Sequence, residues 1–214
     1  MKEGDLYFDV GANDGNRIQP IMDAGIKIIA IEPQKECIKY LKSKFGDKIT
    51  IIPKGLGEKE EIKIFNVSTI NVLSSFSEEW IERTQNSGRY GDAQWFKKEE
   101  VEITTLDKLI EEFGIPRFIK IDVEGYELEV LNGLSKSIDT ISYEYTVPEQ
   151  TDRALMCLKR IIEINGENIR CNYSIGESME WALKEWISPD EMIREIHSQA
   201  FINSGFGDIY VSSC

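Results

Sequence analysis

A glycine-containing loop near the start of the chain has the features of a small-molecule site. Residues 8–16 (FDVGANDGN) follow an apolar strand pattern and precede a short helix pattern. Gly11 and Gly15 let the backbone turn sharply and approach a ligand closely, and the helix N-terminus adds donor amides. Glu32 ends the next apolar run, 21 residues after Gly11, where a carboxylate can accept hydrogen bonds from two ribose hydroxyls. The loop and Glu32 together predict an adenosine-nucleoside site.

The glycine spacing indicates which nucleoside this loop binds. A dinucleotide fingerprint has the form G-x-G-x-x-G, but its second and third glycine positions hold Asn13 and Asn16 here. The loop instead has the form D-x-G-x-x-x-G with Asp9 at its head, which is typical of methyltransferases. S-adenosylmethionine has no phosphate, but it has an amino acid tail that polar loop groups can hold. We therefore expect S-adenosylmethionine as the cofactor; the alternative is a tight turn that binds nothing.

A second group of acidic residues follows a strongly apolar strand pattern at residues 117–122. Asp122 ends this strand, and Glu124 lies in the loop beyond it. Ligands of α/β sheets bind outside the carboxyl ends of the strands, and two carboxylates there can position a hydroxyl and accept its proton. We predict Asp122 and Glu124 to be catalytic. The alternative is that they only cap the helix that begins near Gly125, and for Glu127 that structural role is preferred.

Short apolar runs alternate with helical patterns along most of the chain. Strand patterns occur at residues 5–10, 26–31, 49–53, 102–104, 117–122, 140–145 and 208–211, with an added antiparallel strand expected at 62–67. Helical patterns occur at residues 16–24, 34–45, 106–113, 125–134 and 150–164, and Ser188-Pro189 is typical of a further helix start. This alternation implies right-handed βαβ units. We predict an α/β fold with a doubly wound, mostly parallel sheet of about seven strands and helices on both faces.

Residues 71–100 interrupt the alternation. They hold Trp80, Tyr90, Trp95 and Phe96 among polar and glycine positions. A long irregular insert in a compact domain is usually functional or disordered. We expect a partly helical lid that lies over the C-terminal edge of the sheet and completes an acceptor pocket.

Length and charge limit the domain count and the partners. The 214 residues suit a single domain, residues 1–214, in which residues 166–214 supply C-terminal helices and the last strand. The formal net charge is −13, and residues 76–150 carry 8 basic and 17 acidic side chains. A nucleic-acid partner needs clustered Lys and Arg, so we expect none.

The remaining composition argues against a metal centre and a membrane span. The chain has one histidine, His197, and four cysteines that form no CxxC pair, namely Cys37, Cys157, Cys171 and Cys214. A zinc site is therefore not expected, and a carboxylate-bound Mg²⁺ at Asp122 and Glu124 is a less favoured alternative. No uninterrupted apolar window of about 18 residues is present. Reduced thiols and the absence of a signal-peptide pattern predict a cytoplasmic protein.

Four motifs, in this order and spacing, resemble the FkbM-type methyltransferases. They are FDVGANDGN (residues 8–16), AIEP (30–33), TTLDKL (104–109) and KIDVEGYELEVLNG (120–133), and the resemblance runs from Asp5 to Tyr145. It implies a class I methyltransferase fold of the Rossmann-like type. It also implies O-methylation of a hydroxyl, often on a sugar or on a glycosylated or polyketide product, with S-adenosyl-L-homocysteine as the second product.

The resemblance assigns roles to residues of this chain. It places Asp9, Gly11 and Asn13 in the cofactor loop, and the full cofactor-binding set we expect is Asp9, Gly11, Ala12, Asn13, Asn16, Glu32, Pro33, Ser75 and Asp122. Glu32 would hold the ribose, Ser75 would contact the cofactor edge, and Asp122 and Glu124 would flank the reacting centre. Family members commonly carry helices before the first strand, whereas about four residues precede it here. We therefore expect a more open cofactor pocket, or one covered by a second subunit in a homo-oligomer.

Two other functions stay open at this point. One is an NAD-dependent sugar reductase, which the glycine pattern does not favour. The other is a catalytically idle nucleoside-binding or assembly protein, against which the intact Asp122 and Glu124 argue. The acceptor, a small molecule or a glycan, is not identified, because residues 71–100 and the segment after Asn165 carry no matching motif.

Overall fold

The computed structural model describes residues 1–213 and contains ten strands and seven α-helices. The strands are β1 (Leu6–Val10), β2 (Lys27–Ile31), β3 (Thr50–Ile52), β4 (Gly55–Leu56), β5 (Glu61–Ser68), β6 (Trp95–Thr104), β7 (Phe118–Ile121), β8 (Thr140–Thr146), β9 (Ile169–Tyr173) and β10 (Phe206–Ser213). The helices are α1 (Lys35–Phe45), α2 (Glu78–Ser87), α3 (Leu106–Phe113), α4 (Glu127–Asn132), α5 (Thr151–Asn165), α6 (Pro189–Ile196) and α7 (Gln199–Ser204). Cys214, one of the predicted thiols, lies outside the described residues.

Seven strands form a mostly parallel sheet in the order β3-β2-β1-β7-β8-β10-β9. β1 lies parallel to β2 and to β7, whereas β10 is antiparallel to both of its neighbours. The chain moves outward from β1 to β3 and later returns to place β7 on the other side of β1. The loops after β1 and β7 therefore diverge at the centre of the sheet and leave a crevice at its carboxyl edge. The predicted α/β fold with a mostly parallel seven-stranded sheet is confirmed.

Alternate residues of the central strands pack on opposite faces of the sheet, as the two-residue period of a strand requires. Phe8 and Val10 of β1 join a large apolar core that includes residues of α3, α4 and α5. Tyr7 of the same strand joins a smaller core with Leu41 and Phe45 of α1. Because both faces are covered, the sheet edge at the strand ends is where a ligand can enter.

A second, three-stranded sheet has the order β4-β6-β5. β5 pairs antiparallel with β6, so the antiparallel strand expected at residues 62–67 is present, but in this smaller sheet. β6 begins at Trp95, seven residues before the predicted strand at 102–104. The sequence WFKKEEVEIT lacks apolar alternation, and its first part becomes a strand because β5 supplies the hydrogen-bonding partner. The irregular segment therefore ends at residue 94 and not at residue 100.

Several helix ends lie where capping residues predict them. Ser188 accepts a hydrogen bond from the Glu191 amide, and the Glu191 carboxylate accepts one from the Ser188 amide, so the capping box of α6 is present. Gly25, with φ of +68°, ends the segment predicted as a helix at residues 16–24, but that segment is a 3₁₀ helix over Gln19–Ala24. None of the helices described in residues 1–213 is both long enough and apolar enough to cross a membrane.

Candidate active site

A cavity of about 380 Å³ opens at the carboxyl ends of β1, β2 and β7. Its wall includes the loop after β1, Glu32 at the end of β2, the loop after β7, and Glu144 in β8. Residues 71–94, which we call the cap segment, add Val72, Leu73, Ser74, Phe76 and Tyr90. The position matches the crevice that strand order creates at the centre of the sheet.

The loop after β1 touches the loop after β7 so closely that only glycine fits at its start. Gly11 has φ of +81°, and a Cβ atom there would lie 1.8 Å from the Asp122 carbonyl oxygen. Asn13 is also left-handed, with φ of +42°, a conformation that Asn tolerates better than most residues. Its amide consequently turns toward Glu32, to which it donates a hydrogen bond of 2.9 Å.

Glu32 is only 2% exposed, yet it lines the cavity. Its two carboxylate oxygens accept hydrogen bonds from the Asn13 amide and from the Gln34 amide, at 2.9 and 2.7 Å. Burial raises the pKa of Glu32 to about 7, although these hydrogen bonds oppose the rise. Each oxygen has a second lone pair, so the carboxylate is held rigidly and can still accept hydrogen bonds from a ligand.

Asp9, at the head of the same loop, has an acceptor oxygen that the protein leaves unused. The side chain is 1% exposed, and its Oδ1 accepts a hydrogen bond of 3.0 Å from the Tyr7 hydroxyl. Oδ2 is buried and has no partner among residues 1–213. Burial raises the pKa of Asp9, and the nearby Lys120 ammonium partly opposes this. A buried acceptor without a donor is costly, so this oxygen suits a donor on a ligand.

The loop after β7 holds Asp122 and Glu124 at the other end of the cavity. Asp122 accepts a hydrogen bond of 2.7 Å from the buried Lys120 ammonium. Burial alone would lower the pKa of Lys120, but Asp122, Asp208 and Asp9 raise it above its ordinary value. Glu124 has φ of +55° and a buried Oε2 atom with no hydrogen-bond partner among the described residues.

Glu144 joins these two carboxylates, and sequence reasoning missed it. One oxygen from each of Asp122, Glu124 and Glu144 lies within 4.8 Å of the other two. The pKa of both glutamates is raised well above its ordinary value, first by burial and then by the negative charge of Asp122. The available signal was an acidic residue at the centre of the otherwise uncharged strand TISYEYT, which is unusual for a strand in the middle of a sheet.

Two residues near this group hold the loop in place and do not line the cavity. Glu127 Oε1 accepts hydrogen bonds from the Val123 and Gly125 amides, at 3.0 and 3.1 Å, so its role is structural, but it holds the loop and does not cap α4 as expected. Ser75 is fully buried, and its hydroxyl donates a hydrogen bond of 2.6 Å to the Glu124 carbonyl. The expectation that Ser75 lines the cofactor cavity is therefore corrected, because this hydrogen bond turns its side chain away.

Of the four aromatic residues predicted to form a lid, only Tyr90 lines the cavity. Trp80 is fully buried and packs against Gly125. A Cβ atom added to Gly125 would lie only 2.4 Å from the Cβ atom of Trp80. Trp95 donates a hydrogen bond of 2.8 Å to the Leu73 carbonyl, and Phe96 is 65% exposed in β6. Trp80 and Trp95 therefore anchor the cap segment, and of the four predicted aromatic residues Tyr90 is the one whose ring lines the cavity.

Two cations of the cavity wall are already paired. Arg17 Nη2 lies 2.9 Å from both Asp208 Oδ2 and Glu177 Oε2, and Lys120 pairs with Asp122. The remaining predicted cofactor residues, Ala12, Asn16 and Pro33, all line the cavity near Gly11 and Glu32. With the exception of Ser75, the structure brings every predicted site residue to one cavity.

Two solved methyltransferase structures are similar to this chain at low sequence identity. A search of curated protein sequences finds no match. Among solved structures, a precorrin-6y C5,15-methyltransferase from Geobacter metallireducens is 10% identical with a TM-score of 0.47, and the alignment covers 100% of this chain and 83% of that one. A TehB-like SAM-dependent methyltransferase from Corynebacterium glutamicum is 7% identical with a TM-score of 0.48, at the same coverage.

The family assignment comes from a different comparison. The family described as the methyltransferase FkbM domain matches residues 9–202, which is most of the chain. The match includes the cavity loops described above and ends before the last strand, β10. The resemblance inferred from four short motifs is thereby confirmed over a longer segment. The chain belongs to the FkbM methyltransferase family, and its cofactor is S-adenosylmethionine.

Proposed function

We propose that this methyltransferase transfers the methyl group to a hydroxyl of a sugar, a glycan or a glycosylated metabolite. The observation that carries the proposal is that Asp122 and Glu124 face the same cavity as Glu32 and the Gly11 loop. A carboxylate pair at the end of a sheet strand can orient a hydroxyl and accept its proton. The aromatic ring of Tyr90 in the same wall offers a flat apolar face of the kind against which a sugar ring packs.

The cofactor end of the cavity fits S-adenosylmethionine by the chemistry of its groups. The Glu32 carboxylate has free lone pairs for ribose hydroxyls, and the unused Oδ2 atom of Asp9 suits the ammonium of the amino acid tail. Gly11, Ala12, Asn13, Asn16 and Pro33 would form the surrounding wall. When bound, S-adenosylmethionine supplies a methyl group activated by a sulfonium sulfur.

Asp122 and Glu124 differ in their surroundings, and we assign them different tasks. Asp122 is paired with Lys120, which holds its carboxylate in position to orient the acceptor hydroxyl. Glu124 has an unpartnered oxygen, and burial raises its pKa, so we assign it the role of proton acceptor. Holding the hydroxyl in line with the methyl group contributes further, by up to about 7–11 kcal/mol.

Glu124→Gln tests this assignment. We expect methyl transfer from labelled S-adenosylmethionine to a panel of sugars and glycosides to fall by roughly 10²–10⁴-fold. S-adenosylhomocysteine affinity, measured by calorimetry, should be nearly unchanged, because Glu124 lies at the acceptor end.

Thermal shifts with S-adenosylhomocysteine and NAD provide the control. Only S-adenosylhomocysteine should raise the melting temperature, because it binds the native state. Stabilisation by NAD would favour a reductase. Cofactor binding without transfer to any hydroxyl acceptor would favour a catalytically idle protein.

We further propose that the enzyme acts in the cytoplasm and without a nucleic-acid partner. Cys37, Cys157 and Cys171 are free and buried in the described part of the chain, which suits a reducing compartment. The net charge of −13 opposes binding to a phosphate backbone.

A further inference from the structure

The acceptor end of the cavity carries more negative charge than the protein neutralises. Asp122 has Lys120 as its partner, but within residues 1–213 no Lys or Arg pairs with Glu124 or Glu144. The second cation nearby, Arg17, is already paired with Asp208 and Glu177. The compensating charge for the two glutamates must therefore come from protons or from a bound cation.

An independent observation favours a bound ligand. The Oε2 atom of Glu124 is enclosed by protein and accepts no hydrogen bond from any described residue. The backbone on both sides of Glu124 is held, because Ser75 donates to the Glu124 carbonyl and Glu127 accepts from the amides of Val123 and Gly125. An enclosed carboxylate oxygen without a donor is unfavourable, and a cation at the cavity end of Glu124 removes that cost.

The spacing of the three carboxylates suits one ion. Their contributing oxygens lie within 4.8 Å of one another. Neighbouring oxygen ligands of one ion lie about 3 Å apart around Mg²⁺ and roughly 3.3–3.7 Å apart around Ca²⁺, so small side-chain shifts would bring the three oxygens to one ion. Asp122 directly follows β7, Glu124 lies in the loop between β7 and α4, and Glu144 lies within β8. All three residues line the cavity.

We propose that Asp122, Glu124 and Glu144 bind one divalent cation of the Mg²⁺, Mn²⁺ or Ca²⁺ class. The donor set contains only carboxylate oxygens and no His or Cys, which suits hard cations and not zinc. The sequence led us to expect no zinc site and to treat a carboxylate-bound Mg²⁺ at Asp122 and Glu124 as a less favoured alternative, since it could not show that Glu144 meets these two residues. Three protein ligands leave coordination positions open toward the cavity.

These open positions have a consequence that rests on the function proposed above. An acceptor with two neighbouring hydroxyls can bind the cation through both oxygens. A cation-bound hydroxyl loses its proton more readily, and the free oxygen of a carboxylate can accept that proton. The acceptor class is then a vicinal diol, as many sugars are.

Manganese binding to the full chain tests the site without any measurement of activity. Metal-stripped protein is titrated with Mn²⁺, and free Mn²⁺ is followed by electron paramagnetic resonance. We expect one saturable ion per chain, displaced by Mg²⁺ or Ca²⁺. Glu144→Gln, which keeps the side-chain shape, should weaken binding by roughly tenfold or more.

Glu177→Gln is the matched control, since it removes one negative charge from the same cavity but lies outside the three ligands. Its Mn²⁺ affinity should stay close to that of the wild type. The weakest cation sites of proteins have dissociation constants of about 1 mM. If Mn²⁺ shows no saturable binding with a dissociation constant below that value, the proposal is overturned. Equal weakening by both substitutions would overturn it too, because it would indicate a general charge effect.

Measurements on the same samples distinguish failure of the cation site from failure of the proposed function. S-adenosylhomocysteine binding and melting temperature are measured on each variant to confirm that it is folded. Intact cofactor binding and methyl transfer without Mn²⁺ binding would reject the cation site alone. Mn²⁺ binding without transfer to any hydroxyl acceptor would reject the proposed function and leave the cation site in place.

Discussion

Glu32 is a carboxylate that the protein buries and still keeps available to a ligand. Two backbone amides hold its oxygens, and burial raises its pKa to about 7. Below that pH the side chain is mostly neutral in the free protein. Ribose hydroxyls bind a carboxylate more strongly than a carboxylic acid, so bound cofactor favours the ionised form.

The affinity for S-adenosylhomocysteine should therefore depend on pH. We expect affinity to rise from pH 6 to pH 8 and to level off above pH 8. The slope should approach about tenfold per pH unit below pH 7, which corresponds to the release of one proton on binding. Calorimetry in buffers of different ionisation enthalpy measures both the affinity and the proton release.

Glu32→Gln provides the control for this pH dependence. It should weaken binding by roughly 1.5–3 kcal/mol, because hydrogen bonds to a charged group are lost. It should also flatten the pH profile. An unchanged slope in Glu32→Gln would assign the proton to another cavity group, such as Asp9.

At the scale of elements, the cap segment combines an anchor with a half-buried ring that lines the cavity. Ser77 caps the N-terminus of α2 through the Trp80 amide, and the Trp80 ring packs on Gly125 of the loop after β7. The Tyr90 ring lies 5.5 Å from that of Trp80, measured between centroids, and lines the cavity. Trp80 therefore packs inside the protein, whereas Tyr90 is placed where it can contact a ligand in the cavity.

Tyr90→Ala and Trp80→Ala should consequently have different effects. Tyr90→Ala should reduce methyl transfer to the acceptor and leave S-adenosylhomocysteine affinity nearly intact. Trp80→Ala removes a fully buried ring and should lower the free energy of unfolding by about 3–5 kcal/mol. Turnover, cofactor affinity and melting temperature are measured on both variants. Parallel losses of all three in Tyr90→Ala would show that Tyr90 is a packing residue.

At the scale of the whole molecule, the two halves of the sheet meet where Gly11 follows β1 and Asp122 follows β7. This junction brings the cofactor end and the acceptor end of the cavity together. It depends on the absence of a side chain at Gly11, since a Cβ atom would overlap the Asp122 carbonyl at 1.8 Å.

Gly11→Ala should therefore separate the two loops and abolish cofactor binding. Gly88→Ala is a matched control, because Gly88 also has positive φ, at +71°, but a Cβ there meets nothing within 4 Å. The control should cost only the strain of a left-handed alanine, about 1–2 kcal/mol, and should bind S-adenosylhomocysteine normally. Urea unfolding and calorimetry compare the two, and equal behaviour would contradict the role of the junction.

Much of the fold, and most of the residues that line the cavity, could be predicted because the signals are local in sequence. The β1 strand, the Gly11 loop and Glu32 lie within a short stretch, and each is defined by its immediate neighbours. Asp122 and Glu124 were recognisable because they directly follow an apolar strand, and the four motifs were sufficient to indicate the family. The α/β class followed from alternation alone, since parallel strands require crossover connections.

Tertiary structure decided the rest, because it depends on partners distant in the chain. β6 is long because β5 pairs with it, and β9, which was not predicted, exists because β10 pairs with it. Ser75 turns away from the cavity because the Glu124 carbonyl, 49 residues later, accepts its hydrogen bond. Glu144 meets Asp122 and Glu124 only because β8 lies beside β7 in the sheet. Sequence determines which chemical groups the chain carries, and strand pairing determines which of them share a cavity.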